Sequence, residues 1–105
     1  MTVSDRDLEW ITGQILAREQ PEAIYLFGSQ AKGTAGRHSD VDLLVVAPSS
    51  LPRSHRGKHH RSALASFSRR FDILCYTPEE LAEECSQPGS FLATILRTAR
   101  RLYPE

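Results

Sequence analysis

The stretch Tyr25–Val46, YLFGSQAKGTAGRHSDVDLLVV, decides how this chain is read. Its first apolar run ends in Gly28-Ser29, and its second opens with two carboxylates, Asp40 and Asp42. Side chains alternate along a strand, so VDLLVV as a strand places Asp40 and Asp42 on one face, followed by Leu44 and Val46. From Leu43 onward every position is apolar, the pattern of a central strand covered on both sides. Two carboxylates this close repel, and ionising both calls for a cation or a strongly polar setting. Taken alone, such a pair most often marks a solvated strand end.

Two further features shift that balance. Asp72 opens a third apolar run, FDILCY, just after Arg69 and Arg70. If this run pairs with VDLLVV, three carboxylates converge at one sheet edge. Hard divalent ions such as Mg²⁺ are held by carboxylates together with substrate phosphate oxygens. Two such ions about 3.5–4 Å apart clamp the attacking and leaving oxygens of a phosphoryl-type displacement. Gly28-Ser29, in turn, lies where a strand hands over to a short helix. Glycine permits a tight turn and close approach, and backbone amides at a helix start suit phosphate. Ser29 adds a hydroxyl donor, and Lys32 and Arg37 follow within reach of polyphosphate oxygens.

The flanks complete an alternating pattern. SDRDLEWITGQILAREQ predicts a helix capped by Ser4, with Leu8, Ile11 and Ile15 on one stripe. AIYLF is the first strand. Pro48–Gly57 is loop by composition, and a helix is expected from about Lys58 to Arg69, with His60, Leu64 and Phe67 on one side. Thr77-Pro78-Glu79-Glu80 starts a helix that Pro88-Gly89 ends. Ser90 caps the last helix, with a core stripe of Phe91, Leu92, Ile95, Leu96 and Ala99, and RRLYPE finishes as an edge strand. Trp10 lies off the first helix's stripe, as a second packing face or an anchor for a partner, with packing in the core favoured. The order implies one α+β domain over residues 1–105, a mixed sheet of about three to five strands flanked by helices.

Composition narrows the partners. At 105 residues the chain has the size of one domain, and its 13 basic and 13 acidic side chains cancel. No global charge draws it to nucleic acid or an anionic membrane. No apolar segment reaches membrane-span length and the N-terminus is no signal peptide, so a cytoplasmic protein is expected. Cys75 and Cys85 are too few for a disulfide framework, and Cys75 reads as a buried thiol. The tract from Arg53 to Arg70 is basic and free of acids. It could track a nucleic-acid backbone or face an acidic partner, but a solvated loop and helix face is favoured, and the lack of interleaved aromatics argues against a stacking platform for single strands. His55, His59 and His60 have no cysteine or helical histidine at zinc spacing, which argues against a zinc site. A hydrolase triad on Ser29 lacks its Gly-x-Ser-x-Gly setting.

The pair Gly28-Ser29, ten residues, then Asp40-Val41-Asp42 resembles the signature of the DNA polymerase beta-like nucleotidyltransferases. The fuller text FGSQAKGTAGRHSDVDLLVV, the later FDILCYTPEEL and the ending SFLATILRTARRLYPE look like the minimal nucleotidyltransferases, commonly paired as antitoxins with HEPN-type helical toxins. The chain departs from many members at Gln30, where they carry arginine. The resemblance implies a nucleotidyltransferase fold. It implies that Asp40, Asp42 and Asp72 are catalytic and bind metal, two Mg²⁺ ions, and that Gly28 and Ser29, with Lys32 and Arg37, bind the nucleotide. The expected reaction transfers a nucleoside monophosphate, AMP from ATP, to a hydroxyl of a protein partner and releases pyrophosphate. A small domain with such a site has little surface left to define an acceptor, so a HEPN partner in a hetero-oligomer is expected to supply it. Two alternatives stand beside this. One is a non-catalytic antitoxin that acts by binding its toxin. The other is a small-molecule, aminoglycoside-type nucleotidyltransferase, which needs an extra helical partner.

Overall fold

The computed structural model describes residues 3–33, 40–67 and 69–104. Four strands form one sheet in the order β3-β2-β1-β4. They are β1 (Ala23–Phe27), β2 (Val41–Val46), β3 (Phe71–Tyr76) and β4 (Arg100–Tyr103). β1 runs antiparallel to both β2 and β4, whereas β2 and β3 are parallel. The first three strands coincide with the three apolar runs of the sequence, and the edge strand β4 is where RRLYPE was expected.

Helices cover both faces of the sheet. On one face, Leu8, Ile11 and Ile15 of α1 (Asp5–Leu16) pack on Ile24, Leu26, Leu43, Val45 and Ile73, joined by Leu64 at the end of α3 (Lys58–Ala63). On the other, Leu44, Val46, Phe27 and Tyr76 meet Leu92, with side chains of α4 (Pro78–Cys85) and α5 (Phe91–Leu96) around them. β2 therefore sends Leu43 and Val45 into one core and Leu44 and Val46 into the other, as an apolar run covered on both sides requires. Each of these fully buried aliphatic side chains contributes about 1.5–3 kcal/mol of transfer free energy.

Local sequence fixes the helix starts. Ser4 and Asp7 form a reciprocal capping box on α1, and Thr77 and Glu80 form another on α4; each such cap is worth about 1 kcal/mol. Four helices stop earlier than the sequence suggested: α1 ends at Leu16 rather than near Gln20, α5 at Leu96 rather than Ala99, and α3 and α4 are also short. α3 ends at Ala63, not near Arg69, because a serine-rich segment turns tightly there: the Phe67 amide donates to the Leu64 carbonyl. That turn swings Phe67 between Trp10, 5.7 Å away and stacked, and Phe71, 5.5 Å away and tilted. α4 stops at Cys85, where the Ser86 hydroxyl donates to the Glu83 carbonyl and competes with further helix.

Two aromatic expectations need correction. Trp10 is 38% exposed and lies at the rim of the α1–α3 core, with one ring face on Phe67. Phe91 is 60% exposed although Leu92 beside it is fully buried. As the first residue after the Ser90 cap, Phe91 points out from the helix start.

Candidate active site

Topology brings the Gly-Ser turn and the aspartates together. β1 ends at Phe27, which pairs with Asp42 near the start of the antiparallel β2. β3 starts alongside β2, so Asp42 and Asp72 are register partners on neighbouring strands, whose backbones lie about 4.8 Å apart. The ladder reaches one residue further, where the Val41 amide donates to the Arg70 carbonyl at 2.8 Å. Asp40 therefore sits just outside the strand end. Its carboxylate is 3.9 Å from the Arg70 guanidinium, an exposed pair that the sequence did not announce.

Gly28 follows Phe27 directly and caps α2 (Ser29–Lys32) at φ 73° and ψ −154°, backbone space that L side chains avoid. It is also the residue against the Asp42 carboxylate: a Cβ built on Gly28 would overlap Asp42 Oδ2. A side chain here would both strain the turn and displace that carboxylate.

The electrostatics follow from this crowding. Burial pushes the Asp42 carboxyl up from 3.8 to about 6, and the neighbouring Asp72 and then Asp40 add to the shift. Asp42 is half-buried, while Asp40 and Asp72 are exposed. Carboxylates gathered at one sheet end are a donor set that suits a hard divalent cation, which relieves the crowding felt by Asp42. Asp42 and Asp72 are side by side at one sheet end, with Asp40 just beyond the start of β2. Lys32 closes α2 and is exposed. Arg37 lies outside the described residues. Gln30, where many relatives of the resembled family carry arginine, is buried, and its Oε1 accepts from the Val3 amide at 3.0 Å. It ties the segment before α1 to the Gly-Ser turn.

The basic tract is largely folded back on the protein. Arg56 donates to both oxygens of Glu80, at 2.5 and 3.2 Å, and also to the Leu51 carbonyl at 2.9 Å. Its hydrogen bond, followed by that from the Thr77 amide, holds the Glu80 carboxyl down at about 2. Arg53 lies 4.3 Å over the Tyr76 ring and donates to its hydroxyl. These contacts support the local reading of the tract over a nucleic-acid track.

Sequence spacing missed one group. Glu19, His59 and His60 each present a donor atom within 4.8 Å of the others, and among the described residues no other three metal-ligating side chains are so compact. The three aspartates are spread more widely. The spacing argument compared only neighbouring residues, whereas Glu19 reaches His60 across 41 positions. No described helix is long and apolar enough to cross a membrane.

Comparison with known proteins gives the family. A family model described as a nucleotidyltransferase domain matches residues 8–101. The chain belongs to the nucleotidyltransferase-domain family. Among curated proteins it is similar to a candidate protein adenylyltransferase of Methanocaldococcus jannaschii, with 45% identity over 53 residues. That match covers 49% of this chain, which spans about a third (35%) of the relative's length. Solved structures of the same fold include a toxin–antitoxin with AMP-PNP, at a TM-score of 0.68 and 21% identity over 92% of this chain and 73% of that one. Another is the complex of a tri-AMPylated Shewanella oneidensis HEPN toxin with its MNT antitoxin. There the TM-score is 0.51 at 16% identity, covering 91% of this chain and 71% of that one. The expected fold and family are both borne out.

Proposed function

We propose that this chain transfers AMP from ATP to a hydroxyl of a protein partner, and that the partner is a HEPN-type toxin which the chain restrains as its antitoxin. The observation that carries the proposal is Asp42 set beside Asp72 with Gly28 closed against its carboxylate, within a nucleotidyltransferase-family chain. The similarity to a candidate protein adenylyltransferase and the shared fold with an MNT antitoxin bound to a tri-AMPylated toxin support the choice of acceptor.

In this reading Gly28 and Ser29 bind the triphosphate through backbone amides and the serine hydroxyl, with Lys32 and Arg37 reaching the outer phosphates. Asp40, Asp42 and Asp72 hold Mg²⁺, two ions when substrate is present. Bound Mg²⁺ supplies neutralisation of the triphosphate charge and of the carboxylates. The acceptor hydroxyl oxygen forms a bond to the α-phosphorus as the bond to the bridging oxygen breaks, and pyrophosphate leaves. An Asp72 carboxylate oxygen takes the hydroxyl proton. Catalysis then rests on positioning and on preorganised charge.

The test incubates the full chain with Mg²⁺, α-labelled ATP and the protein encoded beside it. Label on that protein, absent with Asp40→Ala/Asp42→Ala, is the expected result. An unlabelled partner overturns the transfer. Full protection of cells by Asp42→Asn would favour neutralisation by contact alone.

A further inference from the structure

On the other face of the sheet, toward the far end of β2, a second set of ligating side chains has no part in the chemistry above. Glu19, just beyond α1, meets His59 and His60 of α3, and their donor atoms all lie within 4.8 Å of one another. Glu19 Oε1 and His60 Nε2 are 2.5 Å apart, and the two imidazole rings are centred 4.1 Å apart. The His60 side chain is fully buried, and its Nδ1 has no hydrogen-bond partner among the described residues. A cavity of about 110 Å³ opens beside the cluster, lined by Glu19, His59, Arg56 and Cys75 among others. It has room for the waters that complete a coordination shell.

We propose that Glu19, His59 and His60 form a binding site for a divalent transition metal of the zinc type, stapling the end of α1 to α3. One carboxylate oxygen and two imidazole nitrogens are a donor set for Zn²⁺ and not for Mg²⁺, which prefers oxygen ligands. Bonds of about 2.0–2.2 Å place donors a little over 3 Å apart around one ion. The Glu19–His60 contact therefore opens slightly as the ion enters. His59 is exposed, so the site is accessible from solvent. The site is independent of the aspartates, which lie on the opposite face.

Equilibrium dialysis against Zn²⁺ near neutral pH tests the site, using the full chain carrying Asp40→Asn/Asp42→Asn so that the carboxylate site is silenced. One zinc per chain is expected, with affinity falling at least tenfold on adding His59→Ala or Glu19→Gln. Co²⁺ in place of Zn²⁺ should give visible absorption bands that His59→Ala removes. His59 is at the surface, so that variant separates lost ligation from lost folding. No zinc retained by the silenced chain, or retention indifferent to His59→Ala, overturns the proposal. Neither result bears on nucleotide transfer.

Discussion

Asp42 and Asp72 stand opposite each other across the parallel β2–β3 pair, the register partner of each being the other. This placement converts two separate sequence features into one electrostatic unit. Asp42 sits where the antiparallel β1–β2 pair and the parallel β2–β3 pair overlap, so it feels burial, Asp72 and Asp40 together.

The first prediction concerns stability. A carboxyl raised from 3.8 to about 6 favours its protonated form in the folded state. Metal-free protein should therefore lose stability as pH rises from about 4 to 6, and stay at the lower level above that. Asp42→Asn should remove this loss and raise metal-free stability near neutral pH by about 1 kcal/mol once solvent screening of the half-exposed side chain is discounted, several degrees in Tm. Thermal melts across pH check it, and a variant less stable than wild type at neutral pH contradicts it. The same substitution should abolish AMP transfer.

Gly28→Ala should be costly twice over. The positive φ and the overlap with Asp42 predict a destabilisation of about 1–3 kcal/mol. Displacement of the carboxylate should lower kcat/KM by roughly a hundredfold. Denaturant titration and steady-state kinetics on one preparation measure both. Normal kinetics would remove the close approach from the account.

Glu80 carries the acid-side prediction. Its carboxyl is held at about 2 by Arg56 and Thr77, so its contribution is complete above its ordinary value of 4.5 and fades as pH falls through that value toward 2. Glu80→Gln should lower neutral-pH stability by about 1 kcal/mol, since the two-point Arg56 contact is only partly exposed. It should also flatten the acid limb of the stability profile. Transfer activity should be retained, because Glu80 lies on α4, away from the aspartates.

Much of this was legible in the sequence because it is written in local patterns. AIYLF, VDLLVV and FDILCY are the observed strands to the residue, and Ser4, Thr77 and Ser90 cap the helices they were expected to cap. The Asp40–Asp42 pair and the Gly28 turn were visible from spacing. Their meeting with Asp72 was conditional on strand pairing, which no local pattern encodes. What escaped depends on distant contacts. Trp10 stacks on Phe67 only because α3 stops early. Glu19 finds His60 only because α1 and α3 share one face of the sheet. Gln30 is buried, and its Oε1 accepts from the Val3 amide 27 positions earlier.

The central claim is that Asp42 and Asp72 share a cation, and Mn²⁺ binding followed by electron paramagnetic resonance tests it most directly. Wild type, Asp42→Asn, Asp72→Asn and the double variant complete a cycle, with Glu19→Gln as background in all four. Each single variant should weaken binding by at least tenfold, and the double variant by little more than either, because one ion is lost once. Wild-type affinity in Asp72→Asn, or losses that simply add, would show that the two carboxylates act apart.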